Sequence, residues 1–213
     1  MARPMKIVVT SLLVGAGFGA VTSLANGIAL GFADLESRAY TTSGWTLAEI
    51  MSVLLDSGWA WAGLGVAVGW LVTRAEDRRP VALAQGAAAG ALALLAAVAA
   101  YSIVDVIRSG ASSPWYESEP LVWWVAAIVL GVPLGAIGAC ARRPGAVGLL
   151  ARLTVPVGAA VQMVVLPPGK NEVIRDIGQA VVWTAAAATV CFVMIRFLLV
   201  ERRPRPATAA KSP

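Results

Sequence analysis

The chain contains no histidine, only two cysteines, and few charged residues. The missing histidine excludes Ser-His-Asp hydrolysis, Cys-His chemistry and every His-ligated zinc, iron or copper site. Cys140 and Cys191 both fall inside apolar segments. They cannot form a four-thiolate site and read as packing residues. Charged side chains make up 14% of the 213 residues, against about one quarter in a soluble domain. An ordinary soluble domain is therefore excluded. With 58% hydrophobic residues and a mean hydropathy of +0.75, so is a disordered chain. What is left is an integral membrane protein with almost nothing outside the bilayer.

A membrane span needs about 20 mostly apolar residues. Six stretches qualify: Ile7 to Phe32, Leu47 to Val72, Val81 to Ile107, Leu121 to Ala141, Val147 to Leu166 and Ile177 to Val200. Backbone polar groups in lipid must be paired within the segment, so these are helices rather than strands. The first is too long for a cleaved signal peptide and lacks a small-x-small cleavage site. The expected fold is an all-α bundle of six transmembrane helices over residues 1–201, acting as one domain. Residues 202–213 are expected to form a polar, disordered tail. Glycines in the first and fourth spans (Gly15, Gly17, Gly19, Gly131, Gly135 and Gly138) predict close helix packing. Pro133 and Pro156 predict kinks in the fourth and fifth spans.

Orientation follows from the basic residues. On the six-span layout, 13 of the 17 fall on the side of the two termini, and only Arg38, Arg108, Lys170 and Arg175 on the other. The positive-inside rule then places both termini in the cytoplasm of a multi-pass cell-membrane protein. The net charge of +5 is thus a topology signal, and no nucleic-acid partner is expected. Acids do the reverse, with 9 of 12 in the outer half or beyond it. Most tryptophans and all three tyrosines share that side. Aromatic belts form at both interfaces, so one-sided enrichment together with acids points to a site.

Asp56 is the most informative residue. It lies nine positions beyond Leu47, roughly 13 Å along a helix at 1.5 Å per residue, well inside the hydrocarbon layer. An ionised carboxyl there is costly and marks a functional site, unless it only bonds a carbonyl on a neighbouring helix. On one continuous helix Glu49, Asp56 and Trp59 share a face, and Trp61 follows. Tyr101 and Asp105 form an i, i+4 pair in the third span. Glu172, Asp176, Gln179 and Trp183 make one stripe at the start of the sixth, although the two acids alone read as a solvated helix start. Trp115 and Tyr116 lead into Trp123 and Trp124. These faces predict one acid-and-aromatic site. Asp56 would be its acid, Glu49 a relay nearer water and Asp105 an alternate; Trp59, Tyr101 and Trp123 would stabilise a cation.

Buried acids, many tryptophans and no metal motif suit cation chemistry on an isoprenoid. A carboxylic acid can protonate an olefin or epoxide at the end of a lipid-soluble polyene. Indole and phenol faces then stabilise the migrating carbocation, in a pocket that excludes water. No DDxxD run is present, so neither magnesium-assisted ionisation of a diphosphate nor any cofactor is expected. The runs Leu54 to Trp61 (LLDSGWAW), Gly15 to Gly27 (GAGFGAVTSLANG), Ala99 to Arg108 (AAYSIVDVIR) and Gly131 to Arg143 (GVPLGAIGACARR) resemble an uncharacterised family of small membrane proteins from GC-rich bacteria. Bacterial membrane terpene cyclases, which cyclise farnesylated indole diketopiperazines to drimane rings, are similar to that group. The resemblance implies metal-free protonation of a prenylated aromatic or cyclodipeptide substrate reached from the bilayer; it assigns no catalytic residue.

Two other readings stand beside it. Substrate-binding subunits of vitamin transporters are six-helix proteins of this size with acids and aromatics near the outer surface. Such a subunit would dock its partner through small residues on the first helix, yet Ile7 to Phe32 shows no clear Ala-x-x-x-Ala pattern. A structural or immunity protein without turnover is the third. The sequence leaves the oligomeric state open.

Overall fold

The computed structural model describes residues 3–35, 46–110, 118–167 and 172–201, and among them the chain is helical with no strand. Seven helices follow in order: α1 (Arg3–Leu35), α2 (Leu47–Leu55), α3 (Gly58–Thr73), α4 (Arg79–Ser109), α5 (Ser118–Cys140), α6 (Gly145–Val165) and α7 (Glu172–Glu201). Five of these, α1, α4, α5, α6 and α7, are long and apolar enough to cross a membrane. They coincide with five of the six expected spans. The tail from Arg202 onward, together with Trp115 and Tyr116, lies outside the described residues.

The expected continuous helix from Leu47 to Val72 is interrupted. It is two helices, α2 and α3, bent by 57° at Asp56 and Ser57. The local cause is visible in the residues. Ser57 adopts an extended backbone, and its hydroxyl donates to the Leu54 carbonyl at 2.6 Å. Asp and Ser side chains compete with the helix for backbone partners, and Gly58 then restarts the helix. Pro133 and Pro156, by contrast, lie inside helices that run on through them.

α4 occupies the centre, with α1 along one side and α5 along the other, and α3 packs against both α4 and α5. Their shared core is built from Leu64, Val68, Ala89, Ala93, Leu94, Ala97, Val98 and Ala127. Such small residues let backbones touch: the space a Cβ would need at Gly15 and Gly19 is filled by the backbone of Ala93 and Ala97. α6 and α7 pair with each other, and α6 meets the central helices mainly through α3. Their smaller core consists of Ala159, Met163 and Val182. Leu13, Val129, Leu150, Phe192 and Leu199 are among many large apolar side chains that face outward. That pattern suits helices solvated by lipid rather than water.

Candidate functional site

The break between α2 and α3 brings three helices together around one carboxyl group. Asp56 closes α2, its backbone N–H donating to the Ser52 carbonyl at 2.9 Å. Facing it from α1 is Asn26. The Asn26 side-chain amide donates one hydrogen to Asp56 Oδ2 at 2.8 Å and the other to the Tyr101 hydroxyl of α4 at 3.0 Å. Its carbonyl oxygen accepts from the buried Ser52 hydroxyl. Both donors and the acceptor oxygen of this amide are thereby engaged, which fixes its orientation. Leaving one such group unpaired in an apolar setting costs about 1–3 kcal/mol, so the clasp holds α1, α2 and α4 in register.

Aromatic rings continue from this clasp. Trp61 of α3 lies 6.4 Å from the Tyr101 ring with a tilt of 57°. On its other side it meets Phe18 of α1 edge-on, at 5.4 Å and 87°. Tyr101, Trp61 and Phe18 thus form a wall of π systems contributed by α4, α3 and α1. Asp56 itself remains exposed beside it.

Trp59, expected on the Asp56 face, lies across the bend instead. Its backbone N–H donates to Gln162 Oε1 of α6 at 2.8 Å, and its ring packs on the core of the α6–α7 pair. Ser57 makes no side-chain cap for α3, so Gln162 performs that task from another helix. Among the described residues the buried Trp59 indole N–H has no partner.

The remaining candidates go elsewhere. Glu49 is buried and engaged in a capping box at the start of α2: its carboxylate accepts from the Thr46 N–H at 3.0 Å, and Thr46 Oγ1 accepts from the Glu49 N–H at 3.2 Å. This is the ordinary reciprocal arrangement for a Thr-x-x-Glu start, and it directs the carboxylate away from the relay expected of it. Asp105 pairs with Arg108 at 2.7 Å on the last turns of α4, and the Arg108 side chain covers Gly27 of α1. Glu172 is exposed in the first turn of α7, and Asp176 meets Arg175 at 3.2 Å near the surface. Gln179 donates to the Met163 carbonyl and Trp183 to that of Ala160, fastening α7 to α6. Trp123 faces outward, whereas Trp124 packs against the central core.

Asp56, Tyr101 and Trp61 therefore come together, joined by Asn26 and Ser52, which sequence reasoning missed. The available signal was a lone amide within an apolar span, which demands a partner. Among the described residues no group of three or more His, Cys, Asp or Glu is arranged to hold a metal ion. The cluster sets a carboxyl group near polarisable rings, an arrangement suited to transferring a proton to a hydrocarbon or pairing with an organic cation. Comparison with protein-family models, curated proteins and solved structures finds no match.

Proposed function

We propose that the chain is a multi-pass membrane terpene cyclase that works by protonating the prenyl chain of a lipid-soluble substrate. The observation that supports this most is the Asp56 carboxyl, hydrogen-bonded by Asn26 near the Tyr101–Trp61–Phe18 wall. In this reading Asp56 gives its proton to a terminal olefin or epoxide of a prenylated aromatic or cyclodipeptide. The resulting carbocation is drawn along the chain past rings whose π faces stabilise positive charge. Loss of a proton from carbon ends the sequence and restores the acid, so the product is an isomer of the substrate. Membranes containing the protein, incubated with farnesylated candidates, should yield products of unchanged mass, and EDTA should leave conversion intact. Loss of conversion with EDTA would overturn the metal-free mechanism, and no product from any candidate would overturn the cyclase.

With the bent α2–α3 pair as one span, the bundle has six, and the basic residues then favour cytoplasmic termini. A cysteine introduced at Ser113 should react with an impermeant thiol reagent on intact cells. Reaction only after membrane disruption would reverse the orientation.

The break itself favours a second reading, a substrate-binding subunit for a small organic cation. Irregular backbone at membrane depth is tolerated where it is buried in protein or lines a cavity, and broken helices recur at transport sites. Retention of a cationic solute without any chemical change, abolished by Asp56→Asn, would select this reading over the cyclase.

A further inference from the structure

A cavity lies on the opposite side of the helix break from the Asn26 clasp. It occupies about 150 Å³ between the start of α3 and the middle of α6, lined by Gly58, Trp59, Ala62, Thr154, Gly158 and Gln162. Gly158 is exposed, so the cavity opens to the outer surface of the bundle. An enclosed apolar cavity of this volume takes up one benzene molecule. This one is open on one side, has room for one flat ring and is too small to enclose a fifteen-carbon prenyl chain.

Its polar content is narrow. Gln162 uses its carbonyl oxygen to accept from the Trp59 backbone. Among the described residues its Nε2 group has no partner. Thr154 commits its hydroxyl hydrogen to the Leu150 carbonyl at 3.0 Å. The Trp59 indole N–H, also without a partner among the described residues, is fully buried, and the Thr154 and Gln162 oxygens keep acceptor lone pairs. The accessible donor for a guest is thus the amide N–H pair of Gln162, a neutral group that seeks an acceptor. Around it stand Trp59 and the small residues Gly58, Ala62 and Gly158, which leave room for a flat ring. A charged guest would find no counter-ion here and would be costly at this depth.

We infer that this cavity binds a single six-membered ring carrying a carbonyl acceptor, the head group of a neutral lipid-soluble molecule. Gln162 donates to the carbonyl and Trp59 forms a wall beside the ring. As the head-group subsite of the cyclase substrate, the inference rests on the function proposed above; as a binding site for such a ring, it does not. The cavity begins two residues after Asp56. A head group held there would leave its prenyl tail to reach the acid across the bend.

The test uses detergent-solubilised full-length protein and photolabelling with 4-azidoacetophenone, read by peptide mass spectrometry. Label is expected within residues 58–62 and 154–162. Excess acetophenone should suppress it at least tenfold more effectively than toluene, which has the ring but no acceptor. Gly158→Leu should reduce it about tenfold, because a side chain there fills the cavity without meeting any atom within 4 Å of its Cβ. Label spread over the outward faces of α1 and α5 and indifferent to Gly158→Leu would overturn the site. Equal competition by toluene would overturn the role of Gln162. No turnover is measured, so this cavity and the cyclase reading can fail independently.

Discussion

Asp56→Asn is expected to lower cyclisation by about 10²–10⁴-fold, the range for removing a general acid, while the bundle still folds. The substituted amide keeps the size of the side chain, and its oxygen can accept the Asn26 hydrogen bond that Asp56 Oδ2 accepts at 2.8 Å. What disappears is the acidic proton. Replacement by either of the other candidate acids is disfavoured by their surroundings, since Glu49 closes the capping box with Thr46 and Asp105 is paired with Arg108. Turnover per folded protein in membranes is the measurement. The companion pair Trp61→Phe and Trp61→Leu should separate, with the first much milder because a π face survives beside Tyr101. Near-normal cyclisation by Asp56→Asn would move the role to Asp105 or Glu49, and dispensability of all three acids would end the enzyme reading.

Gly135→Leu is expected to remove most folded protein. In α5 a Cβ at this position would overlap the Gly86 carbonyl oxygen and come within 3.0 Å of the Gly90 Cα, both in α4. These are backbone atoms of a packed helix and cannot swing aside. Ordinary overpacking costs about 1–3 kcal/mol, and here the helices themselves must separate. Gly135→Ala should already lower the midpoint of thermal unfolding in detergent. The contrast is Gly17→Ala in α1, where nothing lies within 4 Å and alanine is the better helix former by about 1 kcal/mol. Its melting point should be unchanged or slightly higher. Similar losses at both glycines would mean that the α4–α5 crossing is not the tight contact described.

Hydropathy located the long helices well, because a span must be apolar over its whole length and little else in the chain is. It is blind to a break within a span. The triplet Asp56-Ser57-Gly58 carried that information, as residues that favour caps and restarts over helix interiors, but apolar neighbours on both sides masked it. Projecting Glu49, Asp56 and Trp59 onto one wheel therefore failed at Trp59, which the bend turns toward α6. Of the expected stripe Glu172, Asp176, Gln179 and Trp183, the two acids are exposed and only Gln179 and Trp183 turn toward α6. These two face backbone carbonyls of α6 rather than the acid. Asn26 and Gln162 signalled only that a partner was needed, and which partner could not be read from the sequence. A single amide in a Gly- and Ala-rich helix has no periodicity, and its meaning depends on which residues the fold sets opposite it.

The shortness of α2 bears on the order in which the chain can assemble as it is synthesised. Nine residues span about 13.5 Å at 1.5 Å per residue, less than half of the ~30 Å hydrocarbon layer, so α2 cannot settle across a bilayer alone. Asn26 precedes Asp56 by 30 residues and is already present when α2 leaves the ribosome. Tyr101 follows Asn26 by 75 residues and arrives only with the far end of α4. One half of the clasp can form between successive segments, and the other waits for the third. Tyr101 brings its hydroxyl to Asn26 and its ring to Trp61 in the same movement. The docking of α4 thus both closes the Asn26 clasp and sets the Tyr101 ring beside Trp61, with α5 still to pack on its far side.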